Sequence, residues 1–121
     1  MNRADVADWV ARYREAWESN DPAAIADLFT ADGRYHAHPL GEPWTGPDAI
    51  VAGWLGHEDA PGTTEFTFDV VAVDGRLGVV RAVTTYLRPT RRYGNLWLIE
   101  LDPDGRSRSF TEYWMKEPTS G

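Results

Sequence analysis

Cysteine is missing from the chain altogether, and among its 121 residues methionine occurs only twice and histidine three times. Without a thiol there is no disulfide framework, no thiolate zinc site and no cysteine nucleophile, and the composition suits a reducing compartment. Basic side chains are scarce too. Twelve Lys and Arg stand against nineteen Asp and Glu, and the formal charge of −7 repels phosphate backbones and anionic lipid alike. Neither nucleic acid nor a membrane surface is an expected partner. No apolar run is long enough to span a bilayer, and the opening MNRADVADW lacks the basic start and unbroken apolar stretch of a signal peptide. The expectation is a cytoplasmic chain.

What is present suffices for one domain over residues 1–121, since 42% hydrophobic and 12% aromatic content can bury a core. Val6, Trp9, Val10, Tyr13, Ala16 and Trp17 recur at helical spacing, and Asn20 can close that helix in a left-handed conformation. Asp21-Pro22 then caps and opens a short second helix carrying Ile25, Leu28 and Phe29, which Asp32-Gly33 ends. Arg34 to His38 reads as a brief strand stopped by Pro39. A third helix starts at Thr45-Gly46-Pro47, carries Ile50, Val51, Trp54 and Leu55, and stops at Gly56. From Thr64 the period changes to two. Strands are expected from there to Val73, from Gly78 to Arg88, from Tyr93 to Leu101 and from Arg106 to Lys116, with turns at Asp74-Gly75 and Asp102-Pro103-Asp104-Gly105. Three helices followed by four long antiparallel strands describe an α+β domain, its helices packed on one face of a bent sheet.

The stretch RYREAWESNDPAAIADLFTADGRYHAHPLGEPWTGPDAIVAGW carries a resemblance to the NTF2-like superfamily, in its SnoaL-like and ketosteroid isomerase-like branches. The resemblance covers nearly the whole chain. It implies a cystatin-like cone in which three N-terminal-half helices pack on a strongly curved mixed or antiparallel sheet that encloses a cavity. In the ketosteroid isomerase branch a tyrosine on the first helix and an acid on a late strand hold a developing enolate, while a carboxylate before a proline moves the proton. Tyr13 matches the tyrosine. His38, just before Pro39, stands where the base is kept, and Trp97 falls near the acidic donor. Imidazole can act as a base near neutral pH and an indole N–H can donate one hydrogen bond.

On the last strand Phe110, Glu112 and Trp114 share a face, which by resemblance lines the cavity. A buried Glu112 needs a partner, and Arg81 is the expected one. The candidate catalytic residues are therefore Tyr13, His38 and Glu112, and the candidate ligand contacts are Trp17, Phe29, Trp54, Arg81, Trp97, Phe110 and Trp114. His36, His38 and Glu42 form H-x-H-x-x-x-E, a partial cupin metal signature. No later strand supplies the further histidine that a cupin barrel needs, so neither a metal nor another cofactor is expected.

Two functional readings follow. One is an enzyme doing cofactor-independent general acid–base chemistry on a small, apolar, oxygen-bearing molecule, as an isomerase, cyclase, dehydratase (lyase) or hydrolase. The other is an NTF2-like module that binds such a ligand without reaction. NTF2-like relatives commonly pair through the outer sheet face, and Val80, Ala82 and Tyr86 are read as its apolar content, so a homodimer is expected.

Overall fold

The computed structural model describes residues 1–118, and it sets the three helices ahead of the long strands as the periodicities require. Helix α1 (Arg3–Ser19) begins with a reciprocal cap, in which Asn2 accepts from the Asp5 backbone and Asp5 from that of Asn2. Asn20 ends it at φ 53°, the left-handed conformation in which asparagine costs little. Its buried face is Val6, Trp9, Val10, Tyr13 and Ala16. Helix α2 (Pro22–Ala26) is capped by Asp21, and helix α3 (Pro47–Leu55) opens with Pro47 after Gly46, whose φ of 85° favours glycine. Among the described residues no helix is long and apolar enough to cross a membrane.

Six strands form one mixed sheet in the order β2-β1-β6-β5-β4-β3. They are β1 (Phe29–His36), β2 (Trp44–Thr45), β3 (Thr64–Asp74), β4 (Leu77–Tyr86), β5 (Arg91–Leu101) and β6 (Ser107–Lys116). Strands β3 to β6 run antiparallel, whereas β1 pairs parallel with β6. Register shifts after Val70 and Glu100, and between Phe29 and Arg34, bend the strands that carry them.

Two local expectations are corrected here. The second helix stops at Ala26, so Phe29 opens β1 instead of riding on a helix; it is fully buried against Trp9 and Tyr35. The short strand β2 goes unforeseen by the sequence pattern. It pairs with β1 through Arg34 and Tyr35, and Trp44 then packs against α3. A β-carbon at Gly53 would lie 2.4 Å from the Trp44 ring, so only glycine lets α3 approach that closely.

The core lies between α1 and the inward face of β4 to β6, where Val80, Trp97, Ile99, Leu101 and Phe110 are buried. Trp9 sits at its centre. Its indole N–H donates to the Leu28 carbonyl at 3.0 Å, and its ring meets Tyr13, Phe29 and Phe110 within 6.0 Å.

Candidate functional site

Beyond the closed core, the inward alternation of three strands continues with polar side chains. On β4 it runs Val80, Ala82, Thr84, Tyr86; on β5, Trp97, Asn95, Tyr93; on β6, Phe110, Glu112, Trp114. Thr84 and Tyr86, Trp97, Asn95 and Tyr93, and Glu112 and Trp114 face α1, α3 and the loop after α3 across a cavity of about 460 Å³, within the range of small-molecule sites. Tyr13, Trp17, Trp44 and Trp54 wall it from one side; Tyr93, Trp97 and Trp114 wall it from the sheet. Its rim includes the exposed residues His57, Glu58 and Arg91.

Glu112 stands on the cavity's sheet wall. Asn95 Nδ2 donates to Glu112 Oε1 at 3.3 Å, and Thr84 Oγ1 in turn donates to Asn95 Oδ1 at 2.9 Å, which fixes the amide's orientation. Glu112 Oε2 is buried with no hydrogen-bond partner among the described residues. Burial pushes the carboxyl up to about 8, against the opposing pull of the Trp97 and Asn95 donors. At neutral pH it is therefore mainly a neutral acid. The Trp97 indole lies near enough to favour charge on Glu112, yet its N–H makes no hydrogen bond of good geometry among the described residues.

The hydroxyls of Tyr13, on α1, and Tyr35, on β1, share a hydrogen bond of 2.7 Å. Burial first, then nearby charge, raises both phenols well above their ordinary range, so both stay protonated. Tyr13 also packs on Trp54, Trp97 and Phe110 with centroids 4.8, 4.7 and 5.4 Å away. A ligand oxygen in the cavity thus meets neutral donors, and its carbon skeleton meets aromatic faces.

Of the residues singled out from sequence, Tyr13, Trp17, Trp54, Trp97, Glu112 and Trp114 come together around the cavity. Phe110 and Phe29 are buried in the core instead, and do not line it. Two candidates lie elsewhere. Strand β1 ends at His36, so His38 escapes the strand's alternation; it is exposed, and its Nδ1 accepts the Leu40 N–H at 3.1 Å. Arg81 points to the outer sheet face and lies 3.8 Å from Asp69, its cross-strand neighbour, because Val80 and Ala82 take the inward positions. It cannot be the partner of Glu112. Val80, Ala82 and Tyr86 likewise face inward and supply nothing to the outer face.

Sequence reasoning missed Tyr35, Trp44, Thr84, Asn95 and Asp59. Tyr35 and Thr84 sit on strands where choosing the other parity of the alternation finds them; Asn95 shares the face of Trp97 on β5, and Trp44 lies on the two-residue β2, too short to show an alternation. Asp59 lies in the loop GHEDAPG, whose composition reads as solvated surface.

The SnoaL-like domain pattern matches residues 10–114 of the chain. No curated protein matches it. Among solved structures, an NTF-2 like protein of unknown function from Burkholderia xenovorans is similar with a TM-score of 0.74 and 16% identity, covering 100% of this chain and 91% of that one. A protein from Sphaerobacter thermophilus is similar with a TM-score of 0.68 and 25% identity, covering 92% and 96%. A bacterial protein with a cystatin-like fold from Silicibacter pomeroyi gives 0.63 and 21% identity over 88% and 73%. The pattern covers most of the chain and the solved structures share its architecture, so the chain belongs to the SnoaL-like domain family and has the NTF2-like fold.

Proposed function

We propose that the protein is a cofactor-independent enzyme that binds a small, largely apolar, oxygen-bearing molecule and moves a proton on it, with Glu112 as the acid. The observation that carries this reading is the Glu112 carboxyl. It is buried in an aromatic cavity, with one oxygen held by Asn95, the other unpartnered among the described residues, and its proton retained at neutral pH. A neutral acid there donates to a carbonyl or hydroxyl oxygen and strengthens that hydrogen bond as negative charge develops. The Tyr13–Tyr35 pair supports the same end of the ligand. Isomerisation, cyclisation, dehydration and ring hydrolysis all use such a donor. The lack of cysteine and the charge of −7 agree with a cytoplasmic enzyme that avoids nucleic acid and membranes.

The test is binding of a flat bicyclic ketone, 2-tetralone, followed by quenching of the tryptophans that line the cavity. Wild-type protein should bind it roughly tenfold or more tightly at about pH 6 than at about pH 9.5, because ionised Glu112 loses its donor and turns a charge toward the carbonyl. Glu112→Gln keeps an amide donor and should bind with little pH dependence. Failure to bind the ketone, or the same pH profile in both proteins, overturns the reading. Binding without any proton transfer returns the protein to the non-catalytic module.

The second element of the proposal is a homodimer through the outer sheet face. Leu96 and Tyr113 are cross-strand neighbours there, each 39% exposed, and Met115 is 75% exposed, beside Val79, Val83 and Leu98. Light scattering at micromolar concentration should give about twice the 13.6 kDa of one chain. A mass near that of one chain defeats it.

A further inference from the structure

We infer that Asp59, on the loop after α3, is the base that works against Glu112, so that the substrate is a carbonyl compound with a removable hydrogen on the neighbouring carbon. The inference rests on the acid–base reading above and assigns its second partner. Asp59 lines the same cavity as Glu112 but reaches it from the helix side, whereas Glu112 reaches it from the sheet. Its position is built. Trp17 Nε1 donates to Asp59 Oδ2 at 2.9 Å, the Tyr86 hydroxyl donates to the same oxygen at 3.4 Å, and Asn20 Nδ2 donates to the Asp59 carbonyl at 2.8 Å. The loop is further tied to α1 where the Gly62 N–H donates to Glu18.

Both side-chain donors converge on Oδ2, which leaves Oδ1 without a hydrogen bond among the described residues and available to a proton. Tyr86 keeps its own proton, because burial and then the Asp59 charge push its phenol up to about 12, so it remains a donor to the carboxylate. Asp59 makes no ion pair among the described residues; Arg91, the cation on the rim, stacks over the Tyr86 ring at 5.0 Å instead. A carboxylate braced on one oxygen and free on the other, facing a neutral acid across an aromatic slot, is arranged for proton abstraction.

The step balances without a further reactant. Asp59 takes the proton from the carbon beside the carbonyl, the C–H pair becomes the new C=C bond, and the C=O π pair moves onto oxygen, where Glu112 and the one hydroxyl of the Tyr13–Tyr35 pair that is not donating to the other donate hydrogen bonds. Return of the proton from Asp59 to carbon restores the carboxylate and completes an exchange or an isomerisation. Asp59 is half-buried near the rim, so its borrowed proton can trade with solvent.

Deuterium uptake at the α-carbon of 2-tetralone in D₂O buffer, read by NMR, tests this. Wild-type protein should accelerate uptake over buffer; Asp59→Asn should lose roughly a hundredfold or more of that acceleration while binding the ketone within about threefold of wild type. Asp59→Ala should regain uptake when formate is added, which a merely structural role would not produce. Uptake in Asp59→Asn equal to wild type, or an unfolded Asp59→Asn with no formate rescue of a folded Asp59→Ala, overturns the assignment. Uptake that survives Asp59→Asn but falls in Glu112→Gln leaves the acid–base reading standing and removes Asp59 alone. A wild-type protein that binds the ketone and exchanges nothing removes both.

Discussion

Replacing Trp9 by alanine should lower the thermal midpoint by about 15–25 °C, followed by circular dichroism. Trp9 has no exposed surface and joins α1 to the connection between α2 and β1, to β1 and to β6 at once, through its hydrogen bond to Leu28 and its ring contacts with Phe29 and Phe110. Truncation of a buried tryptophan costs about 3–5 kcal/mol, and the orphaned Leu28 carbonyl adds about 1 kcal/mol or more. A domain of this size holds only about 5–15 kcal/mol in total, so much of its margin goes. Trp9→Phe keeps most of the volume and loses the hydrogen bond, and should cost about 1–3 kcal/mol. Trp114→Ala offers the contrast, because Trp114 is 53% exposed at the cavity rim and its removal should stay within about 1 kcal/mol. Equal losses for Trp9→Ala and Trp114→Ala would contradict this placement of the core.

The different fates of these two tryptophans show what the sequence can convey. Helical spacing puts Trp9 and Tyr13 on the buried side of α1, and strand alternation puts Glu112 and Trp114 on one face of β6; both readings need only local geometry. The resemblance chooses the correct face of β6 as the one that lines the cavity. On β1 and β4 the sequence leaves the parity open. A strand from Arg34 to His38 that aims His38 at the cavity turns Arg34 and His36 the same way and passes over Tyr35, the residue that meets Tyr13; on β4, reading Val80, Ala82 and Tyr86 as outward and Arg81 as inward reverses the structure. A one-residue change of phase moves every side chain of a strand to the other face, and neither strand carries a clean enough contrast of polar and apolar residues to fix it.

The misplacement of His38 has a further cause. Position before a proline is a sequence coordinate, and it marks a cavity only if the strand extends that far. Here β1 stops at His36, and the largely exposed stretch from Ala37 to Pro43 leads back to Trp44 and Thr45, which pair beside Tyr35 and Arg34. Asp59 is illegible for the opposite reason. Nothing in HEDAPG announces a pocket residue, since its placement comes from Trp17, Asn20 and Glu18, some forty positions earlier on α1 and its cap. Contacts of that separation are made by tertiary packing and leave no periodic trace.

Glu112→Gln should be more stable than the wild-type protein at alkaline pH and no more stable at acid pH, a crossover that reports directly on the buried carboxyl. Below the ordinary carboxyl value of 4.5 the folded and unfolded chains both hold the Glu112 proton, and the group contributes no pH dependence. Between 4.5 and about 8 the unfolded chain ionises while the folded chain does not, so stability falls as pH rises. Above about 8 both forms are charged and the loss levels off. Each pH unit in that window removes up to about 1.4 kcal/mol. The cavity opens to solvent at its rim and water will relieve part of the charge, so we expect on the order of 2 kcal/mol by about pH 8.5, or roughly 5–10 °C in the thermal midpoint. The amide introduced by Glu112→Gln would retain an oxygen to accept from Asn95 and cannot ionise. Every other acid titrates in both proteins, so subtracting one stability profile from the other isolates this one group. A difference between the two proteins that stays flat from about pH 4.5 to about pH 8.5 would mean that Glu112 ionises as it would in water. The cavity would then hold no neutral acid, and the proton donor on which the proposed chemistry depends would be gone.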